Sequence, residues 1–428
     1  MRFQTLSEWL DWQQQLHPKD IELGLDRVKK VFERLSISPI AKQIITIAGT
    51  NGKGSTVAYY ETWLKNAGLR VGSYTSPHLL NYNERIRIDT KPVSDNALMQ
   101  AFSEIDRVRD QTKLTYFEFG TLAAMYLMTQ QKVDVAILEV GLGGRLDAVN
   151  IVDASLAQIT PIGLDHQDWL GDNRDQIGLE KAGILREQGL AVYNDPDPTT
   201  SIIQQLKNLK CNFSIYSKDY NYRWLDDQFI EWSSGDKKIT LQPPLTGDHQ
   251  ALNISGVLEG LKLLGHLNGL SEQEVRQNFN GVKCFGRLQQ IETSLPAQVW
   301  VDVGHNEDAA RVISRFLQQK QNTLQQGGKV IVLMGMLTDK QPQAFVEQLE
   351  SIVDEWWLLG LNCERGLSAP QLEEYVNGSI KVSRTFNHVE QSVEHAMSSL
   401  NNKDILLVTG SFYSVEAFLK TSQINFKT

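Results

Sequence analysis

The residues with chemistry in them begin at Ile47-Ala48-Gly49-Thr50-Asn51-Gly52-Lys53-Gly54-Ser55-Thr56, which gathers three glycines, a lysine and the hydroxyls of Ser55 and Thr56 after an apolar run. Glycines let a backbone turn tightly enough for its N–H groups to face inward onto phosphate oxygens. A helix starting there adds the positive end of its dipole. Lys53 would reach the β- and γ-phosphates, and Ser55 or Thr56 could lie near the accompanying metal. The glycine between Lys53 and Ser55 departs from the standard G-x-x-x-x-G-K-[ST] spacing, and the plainer alternative is an ordinary glycine-rich turn. The combination points to a nucleotide.

A nucleotide–magnesium site needs a few hard oxygen ligands, and phosphates and water supply the rest. Glu139 closes the apolar run Val133–Leu138 and precedes Gly141-Leu142-Gly143-Gly144, so it stands where a strand ends; a solvated rim charge is the bland alternative. Ser76 and His78 follow a second candidate strand, and His166 follows a third, with Asp165 as a possible partner for it. Each is weak alone, but their convergence on strand ends of one sheet is informative. Lys181 reads by itself as a solvated helical lysine, and Thr115 to Glu118 reads as a helix capping box.

The elements that must position these groups alternate. Helices are expected from Glu8 to Leu16 with Ser7 as cap, through Leu25 to Leu35, from Lys53 to Asn66, after a cap at Asp95, and from Thr115. Strands are expected at Ile44–Ala48, Arg70–Thr75, Val133–Val140 and Ala154–Thr160, giving a mostly parallel sheet with helical crossovers. The polar stretch Asn194–Pro244 reads as loops and short antiparallel strands. After a break near Gly286–Pro296, a second α/β series has strands at Val299–Val303, Val330–Met334, Trp356–Leu361 and Asp404–Val408, with a helix at Phe412–Leu419.

The chain has 428 residues, 41% apolar and 22% charged, enough for a substantial core in two or three domains. A net charge of −9 argues against broad binding to nucleic acid or an anionic membrane. Even so, Ala41–Lys91 holds seven Lys/Arg against three Asp/Glu, a basic segment around the phosphate loop. Cys211, Cys284 and Cys363 are too widely spaced for a metal or redox motif, and no apolar run approaches the ~20 residues of a membrane span. The opening MRFQTLSEWLDW lacks the pattern of a signal peptide, so a cytoplasmic protein is expected.

Taken in order, ELGLDRV (22–28), AGTNGKGST (48–56), TSPHLLNYNERIRI (75–88), TYFEFGTLAA (115–124), EVGLGGRLDAVN (139–150), ITPIGLDHQDWLG (159–171), EKAGI (180–184), GDHQALN (247–253), GRLQ (286–289), DVGHN (302–306), GMLTDK (335–340) and TGSFY (409–413) closely resemble the folylpolyglutamate synthase/dihydrofolate synthase family of Mur-type ligases. The resemblance covers nearly the whole chain. It implies an α/β architecture: an N-terminal P-loop ATPase domain with a mostly parallel sheet (1–287), a linker (288–296) and a smaller Rossmann-like glutamate ligase domain (297–428). It also implies the reaction. ATP phosphorylates a substrate carboxylate, and the amino group of L-glutamate attacks the acyl phosphate to give an amide, ADP and phosphate.

Carried over by motif, Gly49, Thr50, Asn51, Gly52, Lys53, Gly54 and Ser55 would cradle ATP, with Asn253, Arg287 and Asp302 completing its contacts. Ser76, Glu139 and His166 match the magnesium positions, for two ions, and Lys181 matches a lysine that the family carbamylates into a further ligand. His305 matches a position beside the acyl phosphate, contacting phosphate or glutamate. Glu22, Leu23, Gly24 and Leu25, with Thr115, Tyr116, Phe117 and Glu118 and with Leu146, Asp147 and Ala148, match the segments lining the pterin pocket of enzymes that accept dihydropteroate. The implied substrates are dihydropteroate, reduced folates, L-glutamate and ATP, and the family suggests a monomer and a potassium requirement. The departures are Phe285 and Glu307 where the family usually has proline, and Gly304 where alanine is common. A relative that only elongates folates is one alternative. A cell-wall Mur ligase is a second, but it would carry a nucleotide-sugar domain of about 100 residues before the loop, and here 48 residues precede Gly49. A nucleotide-binding switch or assembly protein without ligase chemistry is a third, and it gives no reason for a second α/β domain with DVGHN.

Overall fold

Gln43–Ala48 (β1) is buried from Ile44 onward, as a strand covered on both faces must be. It lies inside an eight-stranded sheet in a computed structural model that describes residues 2–19, 22–322, 324 and 326–422. The other strands of this sheet are Val71–Tyr74 (β2), Ile86–Ile88 (β3), Lys91–Pro92 (β4), Val135–Glu139 (β5), Leu156–Ile159 (β6), Leu190–Tyr193 (β7) and Asn212–Ile215 (β8). Their order is β4-β3-β2-β5-β1-β6-β7-β8. All pairings from β2 to β8 are parallel, whereas β3 and β4 add an antiparallel edge. The chain fills one side of β1 before crossing to β6 on the other. Such a reversal opens a crevice beyond the carboxyl ends of the central strands.

Seven helices among those of this unit bear on the site: Leu6–Leu16 (α1), Asp26–Leu35 (α2), Lys53–Asn66 (α3), Asp95–Arg109 (α4), Tyr116–Gln130 (α5), Gln167–Leu170 (α6) and Arg174–Lys181 (α7). One face of the sheet, through Ile44, Ala48, Ala136, Leu138 and Ile159, packs into a cluster with Trp9, Val28, Phe102, Phe119 and Leu122 from α1, α2, α4 and α5. α3 packs on β1, β2 and β5 and is buried continuously from Ser55 to Leu64, which fixes the orientation of the loop at its start. Asn221–Trp224 (β9), Ile230–Ser234 (β10) and Lys237–Leu241 (β11) form a separate antiparallel meander.

The chain divides into two compact units, one of Met1–Pro244 with Ala251–Lys283 and one of Leu245–Gln250 with Cys284–Thr428. The second contains Gln289–Ile291 (β12), Gln298–Val301 (β13), Val330–Met334 (β14), Glu355–Leu359 (β15), Val382–Phe386 (β16) and Ile405–Thr409 (β17) in the order β12-β13-β17-β14-β15-β16. All of its pairings are parallel except that of β12 with β13. Its core gathers Trp300, Phe316, Val332, Met334, Phe345, Leu358 and Leu407. No helix of the described residues is long and apolar enough to cross a membrane.

Several local expectations are corrected. α1 is capped by Thr5, not Ser7: the Thr5 N–H donates to Glu8 Oε2 (2.9 Å) and Thr5 Oγ1 accepts from the Glu8 N–H (3.3 Å), a closed box that Ser7 lacks. Ser94, not Asp95, caps α4, accepting from the Ala97 N–H. The stretch read as loops and antiparallel strands also holds a helix, Thr200–Asn208, and β8, a parallel strand of the main sheet. β16 was not expected, because its VSRTF sequence is mostly exposed and lacks an apolar run. Part of the expected linker, residues 289–291, is the edge strand β12.

Candidate functional site

Four loops leave the carboxyl ends of neighbouring parallel strands in the first unit: 49–52 after β1, 75–78 after β2, 140–147 after β5 and 160–166 after β6. The strand-end convergence expected from the sequence is therefore real for Ser76, His78, Glu139 and His166, and the phosphate-loop residues lie in the same row.

The loop after β1 is held very close to β6. Gly49 has φ +150°, and a Cβ built there would lie 1.8 Å from Thr160 Oγ1. Gly52 has φ +90°, and its Cβ would meet Asn253 Oδ1 at 2.6 Å, which brings the buried Asn253 against the loop. Only glycine satisfies both the backbone angle and the close approach at these positions. The Thr50 N–H donates to Pro161 O (2.9 Å), and Thr50 Oγ1 exchanges hydrogen bonds with the Gly163 peptide. Lys53 Nζ donates to Gly49 O (3.0 Å) and Thr50 O (3.2 Å), curling back over the loop from the first turn of α3. Gly54 and Ser55 continue that turn, and Ser55 is buried. Thr56 Oγ1 is buried without a hydrogen-bond partner among the described residues.

Glu139, 5% exposed, accepts a hydrogen bond from the Ser76 N–H at 3.3 Å, so the ends of β2 and β5 share one carboxylate. His166 caps α6 in the left-handed conformation and its N–H donates to Asp165 Oδ1 (2.9 Å). Lys181 ends α7 and is 5% exposed. Burial, then the charge of Lys53, lowers its pKa to about 7, although Asp165 and Asp147 pull the other way. Lys181 thus stands near the phosphate loop with an amine that gives up its proton far more readily than an ordinary lysine, which its sequence context alone did not reveal. Among the described residues no group of three or more His, Cys, Asp and Glu gathers as a metal site.

The three segments expected at a pterin pocket are joined. Arg27 donates to Glu22 Oε1 (2.9 Å), to the Glu22 carbonyl and to Glu118 Oε2 (3.0 Å), tying the turn of Glu22, Leu23, Gly24 and Leu25 to the start of α5. Glu118 also accepts from the Thr115 N–H (2.8 Å), so the capping box and the Arg27 pair use one carboxylate. Phe117 fills the space a Cβ on Gly141 would need (2.6 Å), and it packs on Tyr74 with ring centroids 5.8 Å apart. Tyr116 lies 5.6 Å from Tyr82, and the Arg85 guanidinium stacks over both rings while donating to His78 Nδ1 at 2.8 Å. Leu146 is half-buried and Ala148 buried. Asp147, expected among the pocket residues, turns its carboxylate onto the N–H groups of Gly141, Leu142 and Val149. Burial outweighs those three hydrogen bonds and raises its pKa to about 6. Arg27, Arg85 and Thr160 were not singled out beforehand; all three lie inside quoted motifs, but that Thr160 meets Gly49 follows only from the β1–β6 pairing.

In the second unit, DVGHN follows β13 and TGSFY follows β17, and the two are laced together by Gly410 N–H and Thr409 Oγ1 donating to Gly304 O. Asp302 Oδ2 accepts from the Leu288 N–H (2.8 Å) and Oδ1 from the Gly304 N–H (2.7 Å). Burial raises its pKa, opposed by the charge of Arg287, whose guanidinium lies 5.5 Å over the Phe412 ring. His305 Nδ1 contacts Val303 O at 2.9 Å. The departure at Gly304 has a local reason, since a Cβ there would sit 2.7 Å from Asp302 Oδ1 and 2.8 Å from Ala309 Cβ. Nothing in the structure explains the choice of Phe285 over proline.

Two family models match the chain, the Mur ligase middle domain over residues 47–259 and the Mur ligase glutamate ligase domain over residues 286–412. The dihydrofolate synthase/folylpolyglutamate synthase of Haemophilus influenzae is 40% identical, with 96% of each chain covered. Among solved structures, E. coli FolC in complex with DHPP and ADP matches with a TM-score of 0.89 at 38% identity over 97% of each chain. A bifunctional folylpolyglutamate synthase/dihydrofolate synthase with Mn, AMPPNP and L-glutamate bound matches with a TM-score of 0.88 at 39% identity over 98% of each.

Proposed function

Because this chain belongs to the dihydrofolate synthase/folylpolyglutamate synthase family of Mur ligases, we propose that it makes dihydrofolate from dihydropteroate and L-glutamate, and extends reduced folates by further glutamates. It is an ADP-forming carbon–nitrogen ligase dependent on ATP. A carboxylate is a poor acyl donor, and phosphorylation gives it a good leaving group. Lys53 would set its charge against the phosphoryl oxygens where negative charge grows, while the N–H groups of residues 49–55 orient the phosphates. In the second unit Arg287 and Asp302 would contact the nucleotide, and His305 would meet the acyl phosphate or the incoming glutamate. The remaining acceleration is positioning of two reactants. The pterin would lie among residues 22–25, 115–118 and 146–148, where Arg27 fastens two of the three segments.

Magnesium suits the donor set at the first site. Glu139 offers a buried carboxylate beside Ser76, while His166 caps α6 and Lys181 ends α7. Two ions would be shared between these residues and the phosphates and would neutralise the transferring group. Lys181, with its pKa near 7, is suited to react with carbon dioxide as a neutral amine; the resulting carbamate would replace a cation with an anionic ligand. A potassium requirement, a monomeric state and a cytoplasmic setting complete the reading.

The observation that carries it is the phosphate loop itself, with Gly49 pressed on Thr160, Gly52 on Asn253 and Lys53 folded over the turn. The test is a binding titration with a non-hydrolysable ATP analogue. Native protein should bind it in the presence of magnesium, and Lys53→Ala should bind it far more weakly. Equal affinity would remove the loop assignment.

A further inference from the structure

The phosphate loop is braced from outside as well as by Lys53 within it. Its tightest external contacts run through Thr50 to Pro161 and Gly163, and the residue between those two is fastened on both sides of its backbone. The Ile162 N–H donates to Asp195 Oδ2 (2.9 Å), and the Ile162 carbonyl accepts from Arg174 Nε (2.8 Å). Arg174 and Asp195 are themselves paired at 3.2 Å. Asp195 lies just beyond β7 and is 2% exposed; its second oxygen accepts from the Asp197 N–H at 2.9 Å, and Tyr193 Oη donates to the first at 3.4 Å. Arg174 donates further to Asp197 through its carboxylate and its carbonyl.

We propose that Arg174 and Asp195 are positioning residues for the ligase reaction, clamping Ile162 so that Pro161 and Gly163 hold the phosphate loop in its nucleotide-binding shape. The proposal rests on the reading of residues 49–55 as the ATP loop. The chain of contacts is continuous: the ion pair to Ile162, Ile162 to its two neighbours, those neighbours to Thr50, and the Thr50 carbonyl to Lys53 Nζ. Two features separate it from an ordinary stabilising pair. Only the Asp195 end of the pair is buried, with the Arg174 side chain 32% exposed, so solvent screens the attraction and little of its worth is stability; what the pair does is hold both backbone groups of Ile162 in one geometry. In addition, Arg174 opens the helix that Lys181 closes, and the clamped strand-end segment runs on to Asp165 and His166. One clamp therefore sets the phosphate loop, His166 and Lys181 relative to each other.

The test compares Asp195→Ala, Asp195→Asn, Arg174→Gln and the double variant Arg174→Gln/Asp195→Asn with the native enzyme, using KM values for ATP and glutamate, direct binding of an ATP analogue and melting temperature. Asp195→Ala should raise the ATP KM by at least about tenfold, the scale of one lost hydrogen bond to a charged group, with the glutamate KM within about twofold of native. Asp195→Asn keeps an acceptor for the Ile162 N–H and should recover part of the loss even where the alanine variant folds poorly. Arg174→Gln should reproduce the ATP-specific effect, and the double variant should be no worse than the weaker single, because the two act as one unit. A folded Asp195→Ala or Arg174→Gln enzyme with native ATP affinity would overturn the clamp, as would a lowered melting temperature with unchanged kinetics. If Lys53→Ala loses the analogue and Asp195→Ala does not, the clamp alone is wrong. If Lys53→Ala itself binds normally, the loop reading fails and takes the clamp with it.

Discussion

Replacing Gly49 by alanine adds one methyl group at the most crowded point of the site. That methyl would lie 1.8 Å from Thr160 Oγ1, 2.9 Å from Thr160 Cβ and 3.0 Å from the Thr160 carbonyl. Non-bonded heavy atoms settle at about 3.5–4.0 Å, so a displacement of well over 1 Å is required. Thr160, the first residue beyond β6, is wholly buried and its hydroxyl donates to Ala48 O at 3.3 Å, so the threonine has little room to give. Overpacking of this kind costs about 1–3 kcal/mol. Holding a non-glycine residue at φ +150° adds about 1–3 kcal/mol more. The loop can move outward more easily than the strand can move inward, which would break the Thr50 contacts to Pro161 and Gly163. The expected result is a rise of at least about tenfold in the ATP-analogue dissociation constant, measured by titration calorimetry. Any strain taken by the fold instead lowers the melting temperature, by about 2–4 °C per kcal/mol. Gly49→Ala/Thr160→Ala removes the 1.8 Å contact but leaves the carbonyl and the backbone angle, so it should recover only part of the affinity. Native affinity together with a native melting temperature in Gly49→Ala would refute the reasoning.

Lys53→Ala should lower kcat/KM by at least about 10²-fold through loss of charge at the transferring phosphoryl, with an unchanged far-UV circular dichroism spectrum. Lys181 is held near pKa 7 in the folded protein against 10.5 ordinarily, so it gains its proton as pH falls through 7 and can then no longer add carbon dioxide. Activity should fall below about pH 7 and in bicarbonate-depleted buffer, and ¹³C-bicarbonate should give a carbamate resonance that Lys181→Arg lacks. The same group makes stability rise with pH between 7 and 10.5, because the unfolded chain binds more protons there; urea midpoints across that range check the sign. Glu118→Gln loses the charge that pairs with Arg27, and should raise the dihydropteroate KM several-fold while leaving the ATP KM near native, as steady-state kinetics would record.

What was legible in the sequence, and what was not, follows from the range of the interactions. The phosphate loop is a local pattern of glycines, lysine and strand–helix context, and α3 begins and ends at the residues that pattern implied. The strands that read as unbroken apolar runs are those buried on both faces, β1, β5 and β14 among them. β16 alternates polar residues at a sheet edge, and β8 sits in a polar stretch, so neither carried the signal of burial. Lys181 looked like a solvated helical lysine, yet it lies four residues after the buried Ile177 on one face of α7; that spacing was a usable clue. The Arg174–Asp195 pair has no local signature, since residues 21 apart meet only because β7 returns beside β6. Asp147 shows the opposite case: its motif was recognisable, but the direction of its carboxylate depends on the fold of the loop around it.

The most direct test of the central claim is product analysis of the purified enzyme supplied with ATP, magnesium, L-glutamate and dihydropteroate, with tetrahydrofolate in a parallel reaction. Mass spectrometry should find dihydrofolate in the first and tetrahydrofolate extended by glutamate in the second, with one ADP and one phosphate released for each amide bond. ATP hydrolysis that is indifferent to glutamate and to both pterin substrates, with no heavier product in either reaction, would contradict the account.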